Sequence, residues 1–258
     1  MKTTKTACRV RLVTLVLSCA TFNCSCGEYV PLGRPDYSMA RPPDVEFDRT
    51  GNPSDAQILF DGKSLDRWRN IDGGNARWPV LPDGTMRVDK TGNLPDKVLA
   101  SIYTRDAYTN FQLHVEFCIP EACAKENSKW RGNSGVKIFG CYEVQILDSY
   151  HRDSYANGLC GALYCNYPPA VVASKPLGRW QVYDIIFHAP RVKGYEVAEQ
   201  ATFTVLQNGV LIQDHVHTPP YPNTAENAIK TCGDIELQSH NDDSAPILFR
   251  NVWIRNLH

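Results

Sequence analysis

Glu143, Gln145 and Asp148 fall within a few residues of one another in the run Tyr142-Glu143-Val144-Gln145-Ile146-Leu147-Asp148-Ser149-Tyr150. A carboxylate, an amide, a second carboxylate and a tyrosine suit sugar chemistry, in which hydroxyls are held and protons moved. Side chains alternate between the faces of a strand, so Val144 and Ile146 can enter a core while Glu143 and Gln145 point into a groove. The pattern predicts strands over 136–139 and 142–147, joined around Gly140. A solvated strand face would show the same alternation, so the chemistry needs further residues.

Several are at hand. Glu143 is the first choice as a general base. His240 shares strand phase with Glu236 and Gln238, opposite Ile235 and Leu237, which makes it a candidate acid. Lys137 lies opposite Val136 and Ile138, so it could reach the groove and meet an oxyanion. Asp148 and Tyr150 could hold sugar hydroxyls, although Asp148 could instead stabilise the turn into His151-Arg152-Asp153. Trp180 could stack on a pyranose ring or belong to the core. Asp184 sits in an apolar strand and needs a partner, for which Arg250 is the candidate.

Glu143, Gln145 and Asp148 also occupy the positions of an E-x-D-x-x-E glucanase signature, in which a bulge brings two carboxylates to one face. A retaining glycosidase needs its two carboxyl groups roughly 5–5.5 Å apart. Here the middle residue is Gln and the last is the shorter Asp, which weakens direct displacement.

These residues need strands to hold them. Phe111, Leu113, Val115 and Phe117 alternate with Gln112, His114, Glu116 and Cys118, the period of a half-buried strand. Further strands are expected over 180–187, 202–206, 210–215, 235–239 and 247–257. Asn208-Gly209 between two of them predicts a tight hairpin, because both residues tolerate positive φ. No segment combines helical periodicity, caps and length. The expected fold is all-β, a jelly-roll sandwich of two antiparallel sheets.

The N-terminus sets the expected compartment. Lys2, Lys5, Arg9 and Arg11 precede an apolar run over 12–20, followed by Cys24-Ser25-Cys26-Gly27. This is the layout of an export signal over 1–26, too short for a stable membrane span. Cys19 after Val16-Leu17-Ser18 approximates a bacterial lipidation site. An extended arm over 27–54, rich in Pro, Arg and Asp, would lead into one domain over 55–258. The product is expected to be periplasmic or extracellular, with no transmembrane segment.

The chain carries 27 basic and 28 acidic residues. Residues 1–26 hold four of the basic ones and no acidic one, so the remainder carries about five net negative charges. Such a domain has no electrostatic reason to bind nucleic acid. Cys118, Cys123, Cys141, Cys160, Cys165 and Cys232 remain after the signal, an even number that favours disulfides in an oxidising compartment. Cys118/Cys123 and Cys160/Cys165 could clip loops and leave Cys141 with Cys232. Neither short pair has Cys-x-x-Cys spacing and no paired His motif accompanies them, so no metal or cofactor is expected from these residues. Acidic loops of a sandwich could still hold a calcium ion without a linear signature.

The ordered series of motifs resembles the 3-keto-disaccharide hydrolase domain family, whose members are described as 3-keto-glucoside 1,2-lyases and 3-keto-2-hydroxy-glucal hydratases. The likeness is carried by Leu59-Phe60-Asp61-Gly62-Lys63-Ser64-Leu65-Asp66-Arg67-Trp68, Asn133-Ser134-Gly135, the run over 142–150 and Gly161-Ala162-Leu163-Tyr164. It continues through Pro168-Pro169, Trp180-Gln181-Val182-Tyr183-Asp184-Ile185, Asn208-Gly209-Val210 and Phe249-Arg250-Asn251-Val252-Trp253-Ile254-Arg255. Cys141 departs from the family's polar or basic residue, and Gln238-Ser239-His240-Asn241 only approximates its Gln-Asp-His-Gly. The resemblance implies a concanavalin A-like fold and cleavage of 3-keto-glycosides by elimination and hydration. A carbohydrate-binding module without turnover and a conventional glucanase are the alternatives.

Overall fold

In the strand Phe111–Cys118 the residues Phe111, Leu113, Val115 and Phe117 are fully buried, while Gln112, His114 and Glu116 take the opposite face. That alternation recurs through a computed structural model that describes residues 40–89, 100–125, 128–194, 196–221, 229–240 and 245–257. The expected export signal with Cys19, and residues 27–39 of the expected arm, lie outside the described residues. So do Asn241, Asp242 and Asp243. A compact unit begins at Val45, where Phe47 and Pro53 form an antiparallel bridge.

Fourteen strands follow among the described residues: β1 Gln57–Phe60, β2 Trp68–Arg69, β3 Met86–Arg87, β4 Ile102–Thr104, β5 Phe111–Cys118, β6 Ser134–Ile138, β7 Tyr142–Ile146, β8 Gln181–His188, β9 Arg191–Lys193, β10 Glu196–Glu199, β11 Ala201–Gln207, β12 Val210–Thr218, β13 Ile235–Leu237 and β14 Leu248–Asn256. The larger sheet runs β1-β14-β5-β8-β11-β12, with β3 also on β14; the smaller runs β2-β4-β13-β6-β7, and β9 pairs with β10. Every pairing is antiparallel. Among the described residues the only helices are two short 3-10 turns, Glu121–Lys125 and Ala156–Gly158, and no helix is long and apolar enough to cross a membrane. The fold is the expected two-sheet jelly-roll sandwich.

Two tight turns set the register of the paired strands. Asn208 and Gly209 both take positive φ, 55° and 80°, and close β11 on β12 as their sequence predicts. Between β6 and β7, Phe139 and Gly140 do the same at 58° and 66°. A phenylalanine in the left-handed region costs roughly 1–2 kcal/mol. Here its ring is buried and meets Phe187 edge-on at 5.2 Å, a contact that offsets the strain. The interior between the sheets is aromatic, with Tyr142 of the small sheet 5.7 Å from both Phe187 and Phe203 of the large one.

Register also corrects two expected partnerships. Asp184 does not pair with Arg250. It lies across from His114, whose Nδ1 is 2.7 Å from its Oδ1, while Arg250 lies across from Glu116 and donates from Nε at 2.7 Å. The expected disulfides are not formed: all six cysteines among the described residues are thiols. Cys160 is buried with its Sγ 3.0 Å from the Tyr183 hydroxyl, and Cys165 is exposed on a left-handed backbone. Cys118, Cys123 and Cys141 are buried, whereas Cys232 is exposed.

Candidate functional site

The turn at Phe139-Gly140 aligns Lys137 on β6 with Glu143 on β7 as direct cross-strand partners. On the other side of β6, Lys137 faces Glu236 of β13. One cation therefore stands between two carboxylates on the outer face of the small sheet, while Val136, Ile138, Val144 and Ile146 fill the interior. The row continues from Glu236 to Tyr103 on β4 and from Tyr103 to Arg69 on β2.

Both carboxylates are nearly out of solvent, with Glu143 6% and Glu236 7% exposed. Burial disfavours the charged form and pushes Glu143 up to about 7, against the opposing charges of Lys137 and His240 and with the help of Glu236. Glu236 is raised by burial as well, although Lys137 and hydrogen bonds from Ser101 and Tyr103 restrain it. Burial works against the Lys137 ammonium, but Glu236 and Glu143 outweigh it and hold its pKa above the usual lysine value.

Neighbouring backbone fixes the strand that carries Glu143. Residues 161–164 lie along the free edge of β7: Gln145 donates to the Ala162 carbonyl at 3.0 Å, Gly161 to that of Gln145 at 2.9 Å, and Tyr164 to that of Glu143 at 3.0 Å. From the opposite sheet, the buried Tyr183 hydroxyl donates to the Gln145 carbonyl at 2.6 Å. Gly135 lies beneath the Glu143 side chain, and a Cβ there would stand 2.9 Å from its carboxyl carbon.

A cavity of about 170 Å³ opens at the Glu143 end of this row, walled by Trp130, Asn133, Glu143, Gln145, Tyr164, Gln238 and His240. It is smaller than the roughly 300–1,000 Å³ of sites for drug-sized ligands, so it admits one small ring. Ser134 and Gly135 of β6 hold the chain at Gln238, with Ser134 Oγ donating to its carbonyl at 2.7 Å and its own amide donating to Gly135 at 3.0 Å. The Gln238 side-chain carbonyl is buried without a protein partner.

The structure thus brings Glu143, Gln145 and His240 to one cavity, with Lys137 beside Glu143. Asp148 is elsewhere. Its carboxylate is buried between Arg131, which donates from Nε at 2.6 Å, and Arg152 at 3.7 Å, so it anchors the chain leading to Trp130 and Asn133. Tyr150 is outside the wall with its ring against His151 at 4.2 Å. Trp180 immediately precedes β8 of the other sheet, 4.1 Å beneath the Arg250 guanidinium. Asn133, Tyr164 and Gln238 lie in motifs visible in the sequence but without an assigned role there. Trp130 had no linear signal. Among the described residues no cluster of His, Cys, Asp or Glu could hold a metal ion.

A β-sandwich with a carboxyl-bearing pocket on the outer face of its smaller sheet is the class that fold and site define. The chain belongs to the family of 3-keto-alpha-glucoside-1,2-lyase-like domains, which it matches over residues 55–255. It is similar to a proposed glycosyl hydrolase from Parabacteroides distasonis ATCC 8503 of known crystal structure, at 37% identity, with 89% of this chain and 99% of the other covered and a TM-score of 0.77. Two further proposed glycosyl hydrolases of that organism share the fold. One has 21% identity, covers 79% of this chain and 94% of its own, and gives a TM-score of 0.59. The other has 24% identity, covers 78% and 99%, and gives 0.54. No curated protein matches the sequence.

Proposed function

We propose that this protein is an exported carbohydrate-active enzyme that cleaves 3-keto-glycosides by elimination followed by hydration. The observation that carries the reading is Glu143, a buried carboxyl whose proton is balanced near neutral pH, beside Lys137 and His240 over a one-ring cavity. Family membership supports the substrate class, and the N-terminal sequence supports export.

A ketone at carbon 3 acidifies the hydrogen at carbon 2. The Glu143 carboxylate takes that proton, and the electron pair forms an enolate whose oxygen the Lys137 ammonium can stabilise. The enolate collapses to the enone as the bond from carbon 1 to the leaving oxygen breaks, with His240 delivering a proton to that oxygen. Water then adds to carbon 1 and a proton returns to carbon 2, so the net result is hydrolysis. Gln145 and Gln238 supply amide groups for the ring hydroxyls. The position of Asp148, held by two arginines away from the cavity, removes the second carboxylate of the glucanase reading.

Turnover in deuterated water tests the route. The enzyme is expected to place deuterium at carbon 2 of the released 3-keto sugar, after correction for spontaneous exchange, and Glu143→Gln is expected to lose about 10²–10⁴-fold in rate. Hydrolysis with an unlabelled carbon 2 would establish direct displacement. Binding of the keto sugar without turnover would establish a carbohydrate-binding module.

A further inference from the structure

Four aromatic side chains form a connected line at the mouth of the cavity. Trp130 and Tyr164 belong to its wall. Trp130 meets Tyr155 edge-on at 5.7 Å, the Tyr155 and Tyr164 hydroxyls are 3.4 Å apart, and Tyr164 meets Tyr221 edge-on at 6.1 Å. The order along the rim is therefore Trp130, Tyr155, Tyr164, Tyr221, contributed by three separate loops. None of the four is fully buried, and Tyr155 is 39% exposed.

The line is positioned rather than incidental. Tyr155 rests on Gly158, where any side chain would overlap its ring. Trp130 is anchored through the adjacent Arg131, which is bound to the buried Asp148. Tyr164 is fixed by its backbone N–H, which donates to the Glu143 carbonyl of β7. Three independent devices thus present a ring array to solvent, and burial in a core does not account for it.

Cavity size gives the array a use. One sugar ring fills a space of about 170 Å³, so the group on its carbon 1 must project through the mouth and over the rim. Aromatic faces contribute apolar contact area, and the tyrosine hydroxyls add polar edges. We infer that Trp130, Tyr155, Tyr164 and Tyr221 form a leaving-group subsite that selects glycosides whose aglycone is a ring with an apolar face, aryl or pyranosyl, over those with a small alkyl group. This rests on the proposed reading of the cavity as the keto-sugar site.

The test compares 3-keto-glucosides carrying methyl, phenyl and glucopyranosyl leaving groups, with the wild type, Tyr155→Leu and Tyr155→Phe. In Tyr155→Leu the kcat/KM ratio of phenyl or glucopyranosyl substrate to methyl substrate is expected to fall about two- to tenfold, the range for one aromatic contact. Tyr155→Phe, which keeps the ring, is expected to preserve the ratio. A change confined to one ring type identifies the aglycone; unchanged ratios for both overturn the inference. Calorimetric titration with unoxidised phenyl glucoside and with a glucose disaccharide gives a readout without turnover. If no 3-keto-glycoside is cleaved, binding of either compound that weakens in Tyr155→Leu still supports the rim. Absence of binding to the wild type then overturns it.

Discussion

Gly135 lies directly under the carboxyl of Glu143. An added Cβ would stand 2.9 Å from the carboxyl carbon, closer than such atoms rest, and 3.0 Å from the carbon before it. Gly135 faces Gln145 across the strand pair, so the Glu143 side chain leans along the sheet into space that only glycine leaves open.

Gly135→Ala is therefore expected to keep the fold, because the displaced atoms are the movable end of a side chain, and to lose activity. A misplacement of about 1 Å at a reacting group can cost on the order of 10²-fold. Steady-state kcat measured alongside the thermal midpoint checks this. Full activity in Gly135→Ala would show that the position of the Glu143 carboxyl does not limit the reaction.

The pH dependence should follow Glu143. As the proposed base it must be ionised, so kcat/KM is expected to rise through about pH 7. Glu236→Gln removes a like charge and leaves Lys137 to Glu143 alone, which lowers the Glu143 pKa and moves the rise to lower pH. Lys137→Met moves it to higher pH. Carbon-13 NMR of the Glu143 carboxyl follows the same titrations independently of turnover. The sign for stability is the reverse: a raised carboxyl contributes stability below its unfolded value, and that contribution is lost as pH rises through 7. Glu143→Gln should accordingly be more stable than wild type at pH 8 by chemical denaturation.

On the other sheet, His114 gives a separate alkaline limb. Burial opposes its charge, but the carboxylates of Asp184 and Glu116 outweigh burial and hold it at about 9, while Trp253 stacks on its ring at 5.0 Å. Arg250 and Asn251, the other groups of this cluster, bind Glu116. A raised histidine stabilises the fold fully below 6.5 and loses that contribution as pH rises through 9, on the order of 2–3 kcal/mol. Asp184→Asn should flatten this loss in denaturation curves collected between pH 6 and 10.

Asp148→Asn separates anchoring from catalysis. Breaking one partner of a buried ion pair costs about 3–5 kcal/mol, so the thermal midpoint should drop sharply. Activity per folded molecule, measured well below that midpoint, should fall much less than in Glu143→Gln. An equal loss with an unchanged midpoint would return Asp148 to the catalytic set.

Much of the architecture was legible because period-two alternation marks strands wherever one face is buried. The run over 111–118 and the Asn208-Gly209 hairpin are cases in which local chemistry suffices. Partnerships across strands were harder. Asp184 meets His114 rather than Arg250 because β8 lies beside β5, with β14 one strand further on, and that order is not written in any single segment. For the same reason Asp148, adjacent in sequence to the strand of Glu143, belongs to Arg131 seventeen positions upstream. The site residues in strand phase with one another, Lys137, Glu143, Gln145 and His240, could be grouped from sequence. Trp130 and Tyr155 could not, since loop side chains have no period to reveal them.

The segment over 161–164 has two neighbours whose needs differ: its backbone occupies the free edge of β7, and its last residue, Tyr164, stands in the rim. An uncovered edge strand invites pairing with another chain. The proposed leaving-group rim and the cover of the β7 edge are therefore tied to the same four residues. Side-chain changes at Tyr164 can alter what the mouth accepts while the backbone shield stays in place. Insertions or deletions there would uncover the edge of β7, so a change of specificity at this mouth is expected to come from substitution at Tyr164 and not from a change in loop length.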